Sequence, residues 1–218
     1  MEWPVVVVWH VNGRFISLEG GEGVGKSTQA LRLKAALEAR GISVLLTREP
    51  GGSEGAETIR DILMAGALTR WSAHTEALLF AAARADHVEK LIRPAIAAGR
   101  WVICDRFIDS SRAYQGLAGG IDDAAILALH AFGAKGVLPD RTFLFDLPIE
   151  EGRVRAARRD GSATDRFAAR GSDFHAQVAA AFLSFAEREP DRFRVVNAQN
   201  GPEAITDALL VALSDWLE

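Results

Sequence analysis

The sequence predicts an α/β protein in which five parallel strands form one sheet and helices cover both of its faces. Three observations predict this fold. Five short apolar segments alternate with longer amphipathic or alanine-rich segments, as in chains built from strand–helix–strand units. Most of the short segments do not alternate with polar residues, which is typical of strands buried on both faces. The length of 218 residues, 49% of them hydrophobic, suits one domain with a substantial core.

The predicted elements follow one another in regular order. The strands are rich in aliphatic and aromatic residues and span residues 15–19, 44–48, 101–105, 142–147 and 194–197. The helices span residues 26–40, 55–64, 72–98, 122–133, 149–158, 173–189 and 203–217. Helices of this length between strands predict parallel neighbours. No repeat or linker divides the chain, so residues 14–218 are expected to form a single domain.

Residues 1–13 fit this order least well. The valines at 5–8 could form an additional edge strand or belong to a disordered extension. The apolar run at 5–9 is far shorter than the roughly 18 residues that span a bilayer. Glu2 and Pro4 stand where a signal peptide would begin with basic residues. Membrane insertion and export are therefore not expected.

Charge and cysteine content exclude further classes. The formal net charge is −4, so the whole chain has no positive field that would attract nucleic acid. Cys104 is the only cysteine and cannot form an internal disulfide, so an oxidising compartment is not needed. The five histidines show no metal-ligand spacing. We expect a cytoplasmic protein that binds neither nucleic acid nor membrane.

A glycine-rich segment lies between the first strand and the first helix. It matches the phosphate-binding pattern Gly-x-x-x-x-Gly-Lys-Ser. Glycines let backbone N–H groups approach phosphates, and the helix adds the positive end of its dipole. Lys26 is expected to reach the β- and γ-phosphates, and Ser27 to bind Mg²⁺. The predicted ATP-binding residues are Gly20, Gly21, Glu22, Gly23, Val24, Gly25, Lys26, Ser27 and Thr28.

Two clusters on the second strand and third helix suggest a second ligand, because ligands bind beyond strand ends in open α/β sheets. Arg48 precedes Pro50 and two glycines, which place it on a stiff turn. Phe80 and Arg84 are four residues apart and share a helix face, where a flat ring could stack and be hydrogen-bonded at its edge. The alternatives are a solvated arginine and a core phenylalanine.

A third cluster begins at the end of the third strand. Asp105 follows four apolar residues and is expected to hold Mg²⁺ through water, with Arg106 beside it for a phosphate. Ser111, Tyr114 and Gln115 follow within ten residues. An ordinary aspartate at a strand end is the alternative for Asp105. Tyr114, the only tyrosine, is either a site residue or a residue at the boundary between core and water.

In their order and spacing these segments resemble the bacterial thymidylate kinases, which are P-loop nucleoside monophosphate kinases. The resemblance rests on the glycine-rich loop with its acidic residue, Arg-Glu-Pro-Gly-Gly at 48–52, Phe-x-x-x-Arg at 80–84 and Asp-Arg-Phe to Tyr-Gln-Gly at 105–116. It implies a P-loop NTPase fold and transfer of the γ-phosphoryl group of ATP to dTMP in dTTP biosynthesis, with Mg²⁺ as cofactor. It also implies a homodimer, which we expect to form through the helices near 72–98.

The resemblance also implies roles for individual residues. Glu22 would bind the sugar 3′-hydroxyl. Arg48 and Arg106 would bind the acceptor phosphate. Phe80 would contact the face of thymine and Arg84 its carbonyl edge. Tyr114 would fill the space that a ribose 2′-hydroxyl needs. Because the acceptor phosphate is already nucleophilic, catalysis would consist of positioning and charge neutralisation. The predicted dTMP-binding residues are Glu22, Arg48, Phe80, Arg84, Arg106, Ser111, Tyr114 and Gln115.

An arginine-rich segment follows the fourth strand and is expected to form a short lid at about 153–172. A mobile arginine there could stabilise the charge on the transferring phosphoryl group. The glycine-rich loop contains no arginine, so the resemblance assigns this role to the lid. Arg159 is the first candidate, with Arg158, Arg155 and Arg166 supporting it. The predicted catalytic residues are Lys26, Arg106, Arg158 and Arg159.

Three alternatives remain at this point. The arginines of the predicted lid could simply belong to a solvated helix end. The lid also departs from the family pattern at Ala168, where many relatives have glutamate. The chain could phosphorylate another substrate, such as UMP, CMP or a damaged deoxynucleotide. It could also be a nucleotide-dependent regulator. A GTPase switch is disfavoured because no Asn-Lys-x-Asp segment occurs, and a switch would not need the arginines and aromatic residues of the second ligand site.

Overall fold

The computed structural model describes residues 13–67, 69–160, 167 and 170–217, without the side chains of residues 159 and 160. The predicted parallel sheet is confirmed. Its strands lie in the order β2-β3-β1-β4-β5, and all four pairings are parallel. The strands are β1 (Phe15–Glu19), β2 (Val44–Arg48), β3 (Trp101–Asp105), β4 (Arg141–Asp146) and β5 (Phe193–Asn197). The alternatives considered for residues 1–12 lie outside the described residues.

Helices cover both faces of the sheet. They are α1 (Lys26–Glu38), α2 (Glu54–Met64), α3 (Ala73–His87), α4 (Arg93–Ala97), α5 (Ile108–Ser111), α6 (Asp123–Ala134), α7 (Ile149–Asp160), α8 (Ser172–Arg188), α9 (Pro202–Val211) and α10 (Ser214–Leu217). A π-helical turn at Val88–Ile92 joins α3 to α4, and another at Arg112–Leu117 extends α5. No helix of the described residues is long and apolar enough to cross a membrane.

Three elements differ from the prediction. The helix predicted at 72–98 contains a π-helical turn at Val88–Ile92 between α3 and α4. The segment from α5 through its π-helical turn is helical, although its sequence shows no apolar helical period, because it buries charged residues such as Asp109 and Arg112. The predicted helix at 203–217 is broken between α9 and α10. At this break Arg141 donates hydrogen bonds to the carbonyl oxygen of Ala212 and the carboxylate of Asp215. The side chain of Leu213 is fully buried there.

The central strand β1 separates two apolar clusters. Ile16 and Leu18 pack with Leu33 of α1 and with α9 on one face of the sheet. Phe15 packs on the opposite face with residues of β3 and of the helices that precede it. Because side chains alternate along a strand, the polar residues of β1 also lie on that opposite face. They are fully buried and need hydrogen-bond partners.

The carboxyl ends of β2, β3 and β1 meet at one edge of the sheet. In the register Leu18 pairs with Asp105, and Asp105 pairs with Arg48. The segments that follow these strands carry the glycine-rich loop and the two predicted clusters at the strand ends. The fold therefore brings together residues that are far apart in sequence.

Helix α1 offers a matched test of the core on which the glycine-rich loop rests. Leu33 is 0% exposed and Leu31, on the same helix, is 61% exposed. We expect Leu33→Ala to lower the free energy of unfolding by about 2–5 kcal/mol because it leaves a cavity, and Leu31→Ala to change it by less than about 0.5 kcal/mol. Urea unfolding monitored by circular dichroism measures both. Equal effects of the two variants would contradict this packing.

Candidate active site

The glycine-rich loop, residues 20–25, closes around the side chain of Lys26. The ammonium group of Lys26 donates hydrogen bonds to the carbonyl oxygens of Gly20 at 3.2 Å and Gly21 at 2.6 Å. Burial, together with the nearby charge of Arg106, lowers the pKa of Lys26 to about 8. The Lys26 cation therefore lies within the loop. The N–H groups of the loop and the start of α1 also favour an anion there.

Ser27 and Asp105 face each other at the mouth of this loop. The Ser27 hydroxyl donates a 2.6 Å hydrogen bond to Asp105 Oδ2 at an exposed position. Hydroxyl and carboxylate oxygens suit Mg²⁺. Among the described residues, no group of three or more His, Cys, Asp or Glu side chains could hold a metal ion. A magnesium ion there would need its other ligands from nucleotide phosphates and water.

A cavity of about 360 Å³ opens beside the loop, between the ends of β2 and β3 and helices α2 and α3. We call it the acceptor cavity. Ser27 and Asp105 lie on its wall next to the loop. The structure also brings to this cavity all eight residues that the resemblance assigned to dTMP, namely Glu22, Arg48, Phe80, Arg84, Arg106, Ser111, Tyr114 and Gln115.

Arg106 connects the acceptor cavity to the glycine-rich loop. Its guanidinium donates hydrogen bonds to Glu22 Oε1 at 2.7 Å, and to the Gly20 carbonyl oxygen and Ser110 Oγ at 3.1 Å each. Burial alone would lower the pKa of Arg106, but nearby Tyr114, Glu22 and further acidic groups raise it above its ordinary value. The guanidinium therefore stays charged. Its backbone has a φ of 68°, a left-handed conformation that is uncommon for a residue other than glycine.

Arg84 is oriented by a buried network. Its Nε donates to Glu49 Oε2 at 2.7 Å, and its terminal nitrogen donates to Ser111 Oγ at 2.7 Å. The other carboxylate oxygen of Glu49 lies 3.0 Å from His87 Nδ1, and His87 Nε2 is hydrogen-bonded to Thr47 Oγ1 at 2.8 Å. All of these side chains are buried. One edge of the Arg84 guanidinium is thus already bound by protein groups.

Sequence reasoning missed two charged residues of this cavity. Glu49 lies within the recognised turn, next to the cis Glu49–Pro50 peptide bond, and was given no role. The requirement that a buried arginine be paired with an acid could have indicated it. Arg60 lies on the face of α2 that lines the cavity and donates to the Pro50 carbonyl oxygen at 2.8 Å. Its spacing of four from Met64, which also lines the cavity, was the available signal.

Aromatic rings form the apolar wall of the acceptor cavity. The rings of Phe80 and Phe167 lie 5.7 Å apart, and Tyr114 packs edge-on against Phe167 at 6.4 Å. Burial raises the pKa of Tyr114 to about 12, so its hydroxyl stays neutral at physiological pH. Arg170 donates to the buried carboxylate of Glu76 at 2.9 and 3.0 Å. Phe167 and Arg170 thus place part of the arginine-rich segment against this wall.

Helix α7 packs its backbone directly against the glycine-rich loop. A Cβ atom at Gly152 would lie 2.6 Å from the Glu22 carbonyl oxygen, and one at Gly23 would lie 2.0 Å from the Gly152 carbonyl oxygen. Only glycine fits at these two positions, and Gly23 also has a φ of +68°. A second cavity of about 440 Å³ lies between this loop, α7 and α8.

The predicted lid arginines are not all directed at the acceptor cavity. Arg155 donates to Glu151 at 2.6 Å and to the carbonyl oxygen of Ala198 at 2.9 Å, so it faces the loop after β5. Arg158 is exposed on α7. The side chain of Arg159 and all of Asp165, Arg166 and Ala168 lie outside the described residues.

Comparisons with known proteins agree with this geometry. A family model described as thymidylate kinase matches residues 18–209. A thymidylate kinase of Rhizorhabdus wittichii is 59% identical over 205 residues, covering 94% of this chain and 99% of the relative. One of Caulobacter vibrioides is 51% identical over 203 residues, covering 93% and 95%.

A solved structure described as thymidylate kinase from Ehrlichia chaffeensis matches with a TM-score of 0.76 at 30% identity. The match covers 93% of this chain and 99% of that chain. The predicted P-loop NTPase fold is confirmed by this match and by the five-stranded parallel sheet. The family model and both relatives extend over most of the chain. The chain therefore belongs to the thymidylate kinase family.

Proposed function

We propose that this chain transfers the γ-phosphoryl group of ATP to the phosphate of dTMP, giving dTDP and ADP for dTTP biosynthesis. Phosphorylation of dTMP to dTDP is the known reaction of its family. The observation that carries the proposal is the acceptor cavity beside the glycine-rich loop. Arg106 lines this cavity and is hydrogen-bonded to Gly20 of the loop. A bound dTMP phosphate would lie near the γ-phosphate held by Lys26. The two anions would approach each other between two fixed cations.

Each end of dTMP has partners of suitable chemistry in the acceptor cavity. Arg48 and Arg106 would bind the acceptor phosphate, and Glu22 the sugar 3′-hydroxyl. Phe80 would stack on the base, while Arg84, with Ser111 and Gln115, would contact its edge. The buried network around Arg84 supports this assignment, because a guanidinium held in one orientation can discriminate between carbonyl patterns.

Tyr114 would favour deoxynucleotides by occupying the space beside the sugar. Its ring packs against Phe167, Phe174 and Phe182, so it cannot easily move to admit a 2′-hydroxyl. Rejection by a steric clash requires no hydrogen bond to the sugar. The phenyl ring, rather than the phenol hydroxyl, would therefore carry the selectivity.

The chemical step would need no general base. An oxygen of the dTMP phosphate forms the new bond to the γ-phosphorus while the bridging oxygen leaves with ADP. Lys26 and Arg106 would neutralise charge and hold the reacting groups in line. Ser27, and Asp105 through water, would hold Mg²⁺, which would shield the phosphates of ATP. Arg159, supported by Arg158, would contact the transferring phosphoryl group from the lid at about 153–172, in a kinase domain spanning 14–218.

We also propose a homodimer formed by helices α3 and α6. These helices pack on each other and leave Leu78 57% exposed and Phe132 90% exposed. Exposed apolar side chains on packed helices can form part of a protein–protein interface. A second copy of the chain is the proposed partner.

Cytoplasmic localisation is also proposed, because dTMP and ATP are available there and Cys104 is a free, buried thiol.

The acceptor proposal is tested by ADP formation with ATP, Mg²⁺ and a panel of monophosphates. We expect efficient turnover of dTMP, weaker turnover of dUMP, and little with ribothymidine monophosphate, UMP, CMP or dGMP. Lys26→Ala and removal of Mg²⁺ with a chelator should each abolish turnover. Preference for another monophosphate would overturn the assignment of the cavity. Tight ATP binding without turnover of any acceptor would favour a regulator.

The lid assignment is tested by Arg159→Ala. We expect kcat to fall by on the order of 100-fold or more, with a smaller change in the KM for dTMP, because the contact forms mainly in the transition state. Arg153→Ala is the matched control. Arg153 lies on the same helix and is exposed and paired with Glu150, so its removal should change kcat less than twofold. Wild-type turnover by Arg159→Ala would refute the assignment.

The dimer is tested by sedimentation velocity. Phe132→Glu should shift the protein from dimer to monomer at micromolar concentration, because it places a charge at the centre of the proposed interface. Val211→Glu is the control, since Val211 is 73% exposed on α9, which packs on the opposite face of the sheet. A monomeric unmodified protein would contradict the dimer.

A further inference from the structure

We propose that Glu19 is a positioning residue for phosphoryl transfer, because it fixes both the backbone and the guanidinium of Arg106. The inference rests on the proposed function, in which Arg106 binds the acceptor phosphate. Glu19 is the last residue of β1 and is fully buried. It does not itself line the acceptor cavity. Its action is therefore exerted through Arg106.

A carboxyl group at this position is costly. No salt bridge joins Glu19 to a basic side chain within the described part of the chain. Burial and the nearby carboxylate of Asp109 raise the pKa of Glu19 well above its ordinary value. Burial of a carboxyl group without a direct ionic partner costs free energy, which hydrogen bonds to its oxygens offset only in part. The hydrogen bonds of the Glu19 side chain are made with Ser110 and the Phe107 amide, and both of these groups adjoin Arg106.

The first connection runs through Ser110. The Ser110 hydroxyl donates a 2.6 Å hydrogen bond to Glu19 Oε2 and accepts a 3.1 Å hydrogen bond from the Arg106 guanidinium. Arginine can only donate, so the Ser110 oxygen accepts from Arg106. The same hydroxyl is hydrogen-bonded to Glu19, which holds its oxygen towards the Arg106 guanidinium. The guanidinium then meets Glu22 and Gly20 at the glycine-rich loop.

The second connection runs through the backbone. Arg106 adopts the left-handed conformation, which is strained for any residue with a Cβ atom. Its own N–H donates to the Leu18 carbonyl oxygen at 2.9 Å. The following N–H, of Phe107, donates to Glu19 Oε1 at 2.8 Å. The peptide groups on both sides of the strained residue are thus bound to the end of β1.

Other charges around Glu19 are compensated by separate partners. Asp109 accepts hydrogen bonds from Arg112 at 2.9 Å and from Arg192 at 2.6 Å. These contacts hold the helix that carries Ser110. Glu19, by contrast, is hydrogen-bonded both to Ser110 and to the Phe107 amide, which are the two contacts that connect it to Arg106.

The test compares Glu19→Met, which removes both carboxyl oxygens at a similar side-chain length, and Ser110→Ala with Ser17→Ala. Ser17 is buried on the same face of β1 and is hydrogen-bonded to Thr142 at 2.9 Å. Within the described residues it makes no hydrogen bond to Arg106 or Ser110. Each variant is measured for kcat and for the KM of dTMP and ATP, and its stability is followed by urea unfolding. We expect Glu19→Met to lower kcat/KM for dTMP at least 10-fold and Ser110→Ala about 5-fold. The KM for ATP should change less than twofold, and Ser17→Ala should retain wild-type kinetics.

A double-mutant cycle separates positioning from general destabilisation. If Glu19 acts through Arg106, Glu19→Met should lower kcat/KM less than threefold further in the Arg106→Ala background. A loss of the same size in both backgrounds would overturn the proposal. Wild-type kinetics of both Glu19→Met and Ser110→Ala would also overturn it. Failure of the unmodified protein to phosphorylate dTMP would instead refute the proposed function, and this inference with it.

Discussion

The hydrogen bonds of the Arg106 guanidinium join the two strand ends on which the active site is built. Arg106 follows β3, and its partners Gly20 and Glu22 follow β1. The two strands are neighbours in the sheet, so a single side chain can reach from the acceptor cavity to the phosphate-binding loop. In the proposed function, this contact would set the distance between the two nucleotides. The left-handed backbone of Arg106 is the strain that this placement requires.

Phosphoryl transfer between two nucleotides asks the protein for position and charge rather than for acid–base chemistry. The buried networks of this site meet that demand. Arg84 is held by Glu49 and Ser111, and Arg106 by Glu22 and Ser110. Each guanidinium is oriented before a substrate arrives, so little reorganisation remains for the chemical step. Each guanidinium also has a carboxylate partner, Glu49 for Arg84 and Glu22 for Arg106, which offsets the cost of burying its charge.

The parts of the fold that could be predicted from sequence are those with a local cause. Apolar strands such as 101–105 and the glycine-rich loop are specified by neighbouring residues, and the structure has both. The cavity residues were predictable as a set because their spacing resembles a known family. The helical segment after Phe107 was missed, since Asp109 and Arg112 are buried by partners distant in sequence. Glu49 was missed for the same reason, because its partners lie on α3.

In the proposed function, dTMP lies in the acceptor cavity with its phosphate on Arg106. A crystal structure of the protein with bound dTMP tests this placement. We predict phosphate oxygens within about 3 Å of the Arg106 and Arg48 guanidinium groups, and the thymine ring against Phe80. A nucleotide bound elsewhere, for example in the second cavity between α7 and α8, or bound in the acceptor cavity with its base towards Arg106, would contradict the proposed binding mode.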